Sequence, residues 1–353
     1  MRIKQGFLLI GTFLAACALL IFPSQAAQGA KNGVGYCLGI LIPSLYPFMV
    51  ISVFIVKSGL SEKIGKIFEK PTRKILKLPG CTAATILMSA VGGYPTGARS
   101  VASLYEIGAV TQKQAARMLC FCVNAGPAFV ISAIGSGFLK STDAGVILFA
   151  SQICASFILS IICSVKQEFE DPSLHNSIKV KKITGSEALI QSAVDAAHGM
   201  INMCCFVVLF SAYINLFNIW VKSPSSSVIL SSLMEVTGGC GALTKIGAPL
   251  WAFSLALGWG GISVHFQILS SITDIKINTV KFFLYRFLHG IISAFITFVL
   301  CRAFPIEREV FSSTSKQLSG QLSGSIPASA VLIVLCAALI FSFPHEKLEI
   351  EDT

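Results

Sequence analysis

Ile86-Leu87-Met88-Ser89-Ala90-Val91 runs directly into Gly92-Gly93-Tyr94-Pro95-Thr96-Gly97-Ala98-Arg99, so an apolar stretch stops at a glycine pair. The apolar part is too short to cross a bilayer, which takes ~20 residues. Glycine lets the backbone leave helical geometry at little steric cost. Non-helical backbone at membrane depth is tolerated only inside protein or beside a water-filled cavity. The stretch therefore predicts a broken, re-entrant helix in a membrane protein.

A second stretch of the same design lies in the other half of the chain. Leu230-Ser231-Ser232-Leu233-Met234-Glu235-Val236-Thr237 runs into Gly238-Gly239-Cys240-Gly241-Ala242-Leu243. Its glycine pair predicts a second break at Gly238-Gly239. Short, glycine-interrupted apolar segments at matching positions of two halves are the sequence pattern of a transporter's substrate site.

Another glycine-rich break follows each of these two. The first is Cys122-Val123-Asn124-Ala125-Gly126-Pro127-Ala128-Phe129, and the second is Leu257-Gly258-Trp259-Gly260-Gly261-Ile262-Ser263-Val264-His265-Phe266-Gln267. Small residues in apolar helices also serve simple close packing of helices in lipid. Four breaks in two parallel series favour a binding site over packing alone.

Composition indicates a membrane protein and excludes several other classes. Of 353 residues, 54% are hydrophobic and 12% are charged, against an ordinary charged share of ~25%. The net charge of +10 resides in short loops, without the interleaved aromatic residues of a nucleic-acid surface, so no nucleic-acid partner is expected. Neither Cys120-x-Cys122 nor Cys204-Cys205 has the spacing of a zinc site, so no metal is expected. No enzyme motif or cofactor fingerprint is present, and we expect no enzymatic activity.

The long apolar runs predict about eight transmembrane helices. They cover 7–22, 34–56, 119–139, 144–165, 188–219, 248–272, 282–303 and 327–343. We favour an uncleaved span for 7–22, with a cleaved signal peptide as the alternative. The basic, amphipathic stretch at 60–70 fits a helix in the plane of the membrane interface or an ordinary solvated loop helix. Thr111 is expected to cap a short polar helix.

Basic residues in the loops predict the orientation of the spans. Seven lie in 57–77, four in 166–182 and two in 276–281, whereas the loops near 23–33 and 140–143 carry one each. The positive-inside rule then places the richer loops and both termini in the cytoplasm. Each half has three spans and one re-entrant hairpin, and because three is odd the second half is inverted relative to the first.

The predicted fold is an all-α polytopic membrane protein with about eight transmembrane helices and two re-entrant broken hairpins in two inverted repeats. Its predicted parts are an N-terminal span and loop (1–33), a first repeat (34–165), a cytoplasmic linker (166–187), a second, inverted repeat (188–303) and a C-terminal loop, last span and tail (304–353).

Polar and charged residues in or beside spans are the candidates for binding, because such residues are costly in lipid. Arg99 could clamp a carboxylate through two N–H groups or lie at the interface as an anchor. Glu235 could hold a cation, relay a proton or pair with Arg99. His265 and Gln267 share one side of the last break if the backbone is extended there. Arg286 and His289 share one helical face.

Several of these segments resemble the sporulation integral membrane proteins of the YlbJ type, a family of Gate-domain (nucleoside-recognition) membrane proteins. The matching stretches are 92–99, 124–127, 233–239, 257–267, 272–276 and 284–290. Gate-domain proteins are similar in repeat plan to concentrative nucleoside transporters. The family often has other residues where this chain has Gly92-Gly93 and Val264-His265, so the ligand could differ.

The resemblance implies a role in endospore formation, with dipicolinic acid as cargo across the outer forespore membrane. The expected partners are a small anionic solute and the lipid bilayer, and a homo-oligomer stays open. A coupling ion, H⁺ or Na⁺, is left undetermined, and no other cofactor is expected. A non-transporting scaffold or gate, or a transporter of a nucleoside-like solute, is the alternative. The candidate substrate-binding residues are Gly92, Gly93, Tyr94, Pro95, Gly97, Arg99, Asn124, Gly126, Glu235, Thr237, Gly238, Gly239, Gly260, Gly261, Ser263, His265 and Gln267.

Overall fold

The apolar runs fold into α-helices joined by short connections. The structure is a computed structural model that describes residues 2–170, 185–221, 223–272 and 275–304. Within these residues the α-helices are α1 (Arg2–Ile21), α2 (Pro23–Tyr36), α3 (Ile42–Lys57), α4 (Leu60–Ile67), α5 (Glu69–Pro71), α6 (Thr82–Gly92), α7 (Tyr94–Glu106), α8 (Gln112–Met118), α9 (Thr142–Ile162), α10 (Gly185–Phe217), α11 (Pro224–Met234), α12 (Val236–Lys245), α13 (Leu250–Trp259), α14 (Gly261–Ser271) and α15 (Thr279–Ala303). Three π-helical segments accompany them: Cys37–Leu41, Thr72–Leu76 and Ala128–Phe138.

Five helical stretches in the described residues are long and apolar enough to cross a membrane. They are Pro23–Ile55, Thr142–Ile162, Gly185–Phe217, Leu250–Ser271 and Thr279–Ala303. The predicted spans at 7–22 and 119–139 contain only the shorter apolar helices Leu9–Ile21 and Ala128–Phe138. The predicted span at 327–343 and the predicted C-terminal part lie outside the described residues. Within the described residues the all-helical membrane character is confirmed, while the count of eight stays a prediction.

The predicted loop at 23–33 is wrong, because these residues form α2. Pro23 stands in the first turn of that helix, where a missing backbone N–H costs nothing. A Cβ on Gly29 would lie 2.5 Å from the Ser211 carbonyl oxygen, and one on Gly33 would lie 2.8 Å from Val208 Cα. The two glycines therefore let α2 pack closely along α10. This tertiary packing stabilises a helix in a segment that is rich in small and polar residues.

The same order of elements occurs twice along the chain. A long helix is followed by a broken pair, a second broken element and another long helix. In the first half these are Pro23–Ile55, α6 with α7, α8 with Ala128–Phe138, and α9. In the second half they are α10, α11 with α12, α13 with α14, and α15. The repeated order agrees with two repeats, and their inversion stays a prediction.

Segments that the loop charges assign to the cytoplasm lie together at one end of the helices. Lys57 Nζ is 2.7 Å from the Asp195 carboxylate. The Arg73 guanidinium stacks over the Phe169 ring at 4.2 Å. Gln112 Nε2 donates to the Lys276 carbonyl oxygen at 2.7 Å. The first two contacts join 57–77 to α10 and to 166–170. The third joins 275–278 to the start of α8, and the Thr111 hydroxyl just before α8 donates to the Glu170 carboxylate at 3.2 Å. The three basic segments are therefore neighbours, which agrees with the predicted common membrane side.

The predicted cap at Thr111 is confirmed. The Thr111 hydroxyl accepts from Gln114 N at 3.3 Å, and the Gln114 side chain accepts from Thr111 N at 2.9 Å. This capping box satisfies two backbone donors at the start of α8 and so fixes where that helix begins.

Candidate functional site

The first hairpin breaks at Gly93, as predicted. Gly93 has φ +84° and ψ −179°, a conformation that is accessible essentially only to glycine. It separates α6 from α7 and leaves the first backbone groups of α7 unpaired within that helix. Pro95 stands in the first turn of α7 and contributes no N–H. The break therefore combines two features. Gly93 takes up a backbone conformation that other residues rarely adopt, and Pro95 reduces the number of unpaired backbone N–H groups at the start of α7.

The second hairpin breaks at Glu235, so the predicted break at Gly238-Gly239 is wrong. Glu235 has extended backbone, with φ −148° and ψ 128°, and is buried. Its carboxylate accepts from Thr237 N at 2.8 Å and from Gly238 N at 2.6 Å. A capping carboxylate stabilises the positive end of a helix. The residue that marks this break in the sequence is therefore the acidic Glu235, three residues before the glycine pair.

The glycine pair lies inside α12 and serves packing. A Cβ on Gly239 would lie 2.5 Å from Ser232 Cα, so the two arms of the hairpin meet backbone to backbone. A Cβ on Gly238 would lie 3.2 Å from the Glu235 carboxylate. In this hairpin the glycine pair allows the two arms to approach each other closely, and the chain reverses at Glu235 instead.

The two further breaks lie where the sequence predicts them. The first is the non-helical stretch between α8 and Ala128–Phe138, and the second is Gly260-Gly261, with φ of +85° and +80°. Asn124 is buried in the first of these, where its amide nitrogen donates to the Phe121 carbonyl oxygen at 3.1 Å and to Ser156 Oγ at 3.2 Å. Its side chain thus pairs polar groups that the break leaves without helical partners.

Each hairpin tip packs against the break that follows it in the chain. A Cβ on Gly126 would lie 2.8 Å from the Val91 carbonyl oxygen and 3.1 Å from Gly93 N. A Cβ on Gly261 would lie 3.0 Å from Glu235 Cα. The two halves thus build the same local arrangement, in which a glycine of the broken helix receives the tip of the hairpin.

A small space lies where both tips and both breaks meet. It has a volume of about 30 Å³, which is room for about one water molecule. Eight of the predicted binding residues line it: Gly92, Gly93, Tyr94, Pro95, Gly126, Glu235, Thr237 and Gln267. Apolar side chains complete the wall, among them Leu45, Phe129 and Val264. We call this space the tip cavity.

Other predicted residues support the tip cavity from behind or lie apart from it. Gly97 packs against the first break, where a Cβ would overlap the Cys122 carbonyl oxygen. Ser263 is buried and accepts from Gln267 Nε2 at 3.2 Å. Asn124, Gly238, Gly239, Gly260 and Gly261 belong to the breaks and hairpins described above.

Arg99 lies away from the tip cavity. Its Nη1 donates to the Asp195 carbonyl oxygen at 3.1 Å. Together with Lys57 and Asp195, Arg99 lines a separate cavity of about 340 Å³. In this structure the guanidinium therefore does not face the hairpin tips, and Glu235 is paired with backbone N–H groups of its own helix.

His265 and Gln267 do not share a side, because α14 is helical from Gly261 and the condition of extended backbone is not met. Gln267 faces the tip cavity. His265 packs among aromatic rings, with its ring centroid 4.3 Å from that of Trp259 and 4.7 Å from that of Phe283. Its Nδ1–H donates to the Gly261 carbonyl oxygen at 2.6 Å. This contact holds the start of α14.

Arg286 ties the two broken helices together and is absent from the predicted site. It is 1% exposed. Its Nη1 donates to the Val123 carbonyl oxygen at 2.5 Å, and its Nη2 donates to the Gly258 carbonyl oxygen. These carbonyls belong to the two breaks, where helix ends carry partial negative charge. The sequence could have indicated Arg286 as a site residue, since an ionisable residue within a membrane span is functional by default.

Two further contacts link the halves near Arg286. The Tyr94 hydroxyl donates to the Leu257 carbonyl oxygen at 2.5 Å, so the first tip is joined to the second broken helix. His289 lies between Arg286 and α9: Arg286 Nη2 is 3.3 Å from His289 Nδ1, and His289 Nε2 is 3.1 Å from the Gln152 carbonyl oxygen. Because the guanidinium donates to Nδ1, the proton of a neutral His289 resides on Nε2.

These features are those of a polytopic α-helical membrane protein with interrupted helices around a central cavity. No protein-family model matches the chain, and no solved structure gives a significant match. The chain is similar to Sporulation integral membrane protein YlbJ of Bacillus subtilis (strain 168), with 22% identity over 339 residues. The similarity covers 84% of this chain and 83% of that protein. It agrees with the YlbJ-type resemblance of the motifs, while the Gate-domain assignment stays a prediction.

Proposed function

We propose that this chain is a membrane transporter in endospore formation that moves a small anionic solute, dipicolinic acid, across the outer forespore membrane. The observation that carries the proposal is the tip cavity, where the hairpin tips and helix breaks of both halves converge. Interrupted helices that meet between two repeats are the usual setting of a transporter's substrate site. The name of the similar Bacillus subtilis protein supports the part in sporulation.

The tip cavity is too small for the proposed solute. A space of about 30 Å³ admits about one water molecule, and an aromatic dicarboxylate is many times larger. The cavity would therefore open by separation of the tips, which first breaks the contact from the Tyr94 hydroxyl to the Leu257 carbonyl oxygen. We infer that the structure corresponds to a state in which the two tips are in contact with the broken helices.

The helix ends around the cavity would supply part of the recognition. The N-terminus of α7 begins at Tyr94 in the cavity wall, and a helix N-terminus carries partial positive charge. Tyr94 also offers an aromatic ring to a flat solute.

The proposed orientation keeps both termini in the cytoplasm, with the first hairpin entering from that side and the second from the other.

Uptake of labelled dipicolinate by proteoliposomes tests the proposal. Leu45 lines the cavity and is buried, whereas Leu38 is absent from the lining and is 64% exposed. Leu45→Trp should abolish uptake because the indole fills the space between the tips, while Leu38→Trp should transport like the wild type. Equal rates for both variants would show that the solute does not pass through the tip cavity.

The same assay separates the alternatives. A scaffold or gate of a sporulation complex would insert and fold yet move no solute in liposomes. A transporter of nucleoside-like solutes would take up labelled uridine and show no competition by dipicolinate. Spores of a deletion strain with normal dipicolinate content would contradict the proposed cargo in the cell.

A further inference from the structure

A large basic cavity lies at the end of the helices where the basic loops gather, apart from the tip cavity. Its volume is about 670 Å³. Four cationic side chains line it: Lys113, Arg117, Lys166 and Lys281. No Asp or Glu is found among the described residues of its wall. We call this space the basic cavity.

The charge of the basic cavity is only partly compensated. The exposed Glu170 carboxylate lies 3.3 Å from Lys113 Nζ, and also accepts from the Thr111 hydroxyl at 3.2 Å. Among the described ion pairs, none engages Arg117, Lys166 or Lys281. Like charges around one concave space focus a positive potential into it. An anion entering the space would therefore lower the repulsion among these three cations.

Arg117 is held in place in the wall of the basic cavity. Its Nη2 donates to the Lys77 carbonyl oxygen at 2.8 Å, which fixes the plane of the guanidinium. Its Nη1 is buried and has no hydrogen-bond partner among the described residues. A buried donor without a partner costs about 1–3 kcal/mol. An anionic oxygen is the partner that a guanidinium binds best.

Aromatic side chains line the basic cavity beside one of its cations. Phe282 and Tyr285 line the cavity from α15, and Lys281 Nζ lies 5.8 Å from the Tyr285 ring centroid. Flat apolar surface beside cationic groups suits a ligand with a charged end and a planar or aliphatic body. Cys120, at the start of the first break, also faces this cavity.

We propose that the basic cavity is a binding site for an anion with two or more negative charges on carboxylate or phosphate oxygens. Arg117 would bind one anionic group, and Lys166 and Lys281 would bind the other. The free solute and the headgroup of an anionic lipid share this chemistry. The site does not depend on transport, so it stands or falls separately from the function proposed above.

Ligand-induced thermal shifts of the full chain in nanodiscs test the site. The probes are dipicolinate and inorganic phosphate with phosphatidylcholine alone, and phosphatidylglycerol added to the disc. The test variant is Lys166→Gln with Lys281→Gln. The matched control is Lys31→Gln with Lys140→Gln, which removes the same charge from exposed positions outside the cavity.

The wild type and the control should be stabilised by the same probe, and the test variant should lose at least tenfold in affinity. Loss of dipicolinate or phosphate binding assigns the site to a free anion. Loss of stabilisation by phosphatidylglycerol alone assigns it to a lipid headgroup. Equal affinity of test and control variants for every probe would overturn the proposal.

A charge-conserving variant guards against a folding artefact. Arg117→Lys keeps the positive charge but removes the unpartnered Nη1 group, so it should bind the anion more weakly in a fully folded chain. Both this variant and the Lys166→Gln, Lys281→Gln variant could bind the anion with wild-type affinity. That result would show that the basic cavity is positively charged but is not a binding site for the anion.

Discussion

The two hairpins reach the same shape by different chemistry. In the first, Gly93 supplies a backbone conformation that other residues rarely adopt, and Pro95 removes a backbone donor from the new helix. In the second, Glu235 keeps ordinary extended backbone and its carboxylate accepts from two backbone N–H groups. One tip thus avoids an unpaired donor and the other pairs its donors. Equivalent positions in the two halves therefore need not share residue types.

The largest difference should appear four residues after each break. A Cβ on Gly97 would overlap the Cys122 carbonyl oxygen of the first broken helix, whereas one on Gly239 would meet Ser232 within its own hairpin. Gly97→Ala should lower the free energy of unfolding by about 3 kcal/mol or more, and Gly239→Ala by less, because two arms of one hairpin can separate slightly. Thermal unfolding in detergent measures both.

Gly35→Ala serves as the control for these two variants, because a Cβ there meets nothing within 4 Å. It should leave stability unchanged or raise it by about 0.5–1 kcal/mol. A Gly239→Ala variant less stable than Gly97→Ala would reverse the comparison and show that the second hairpin is the more rigid one.

A smaller effect is expected at the first tip. A Cβ on Gly93 would lie 3.6 Å from Gly126 N, so space is available and only the backbone conformation resists substitution. Gly93→Ala should therefore cost about 2 kcal/mol. Chemical unfolding in detergent is the measurement, with Gly39→Ala, in open space, as the control. A loss below half a kcal/mol would mean that the tip relaxes to another backbone conformation.

The smallest effect is expected at the second tip. Glu235→Ala removes a helix cap and should cost about 1 kcal/mol. Glu235→Gln retains one carbonyl acceptor and should fall between alanine and the wild type in the same unfolding measurement. Glu106→Ala, at the exposed end of α7, should change stability by less than about 0.5 kcal/mol. If Gln proved as destabilising as Ala, the negative charge rather than the hydrogen bonds would hold the tip.

Local signals in the sequence were sufficient for much of the fold. The helical class, the breaks at Gly93 and Gly260-Gly261 and the cap at Thr111 depend on residues close in sequence, and the structure confirms them. The helix at 23–33 and the packing role of Gly239 depend on α10 and on Ser232. Such close approaches between distant segments leave no local pattern in the sequence. The predictions of a loop at 23–33 and of a break at Gly238-Gly239 were wrong for this reason.

The candidate site was predictable in part for the same reason. Gly93, Tyr94 and Gln267 were recognised from motif positions, and they line the tip cavity. Arg99 was expected beside the tips but contacts Asp195, and Arg286 was noted only as a neighbour of His289 on one helical face. The positions of these two arginines are set by carbonyl groups that are distant in the sequence.

The lining of the tip cavity has a consequence for the electrical balance of the proposed transport. Glu235 is the acidic group in its wall, no Lys or Arg is found among its described lining residues, and Arg286 is already bound to carbonyl oxygens. A solute with two negative charges cannot enter such a space alone, because bare charges repel strongly where water is excluded. Under the proposed function each dianion would therefore travel with protons or sodium ions, so the uptake rate in the liposome assay should follow an imposed proton or sodium gradient. Uptake indifferent to both gradients would rule this stoichiometry out.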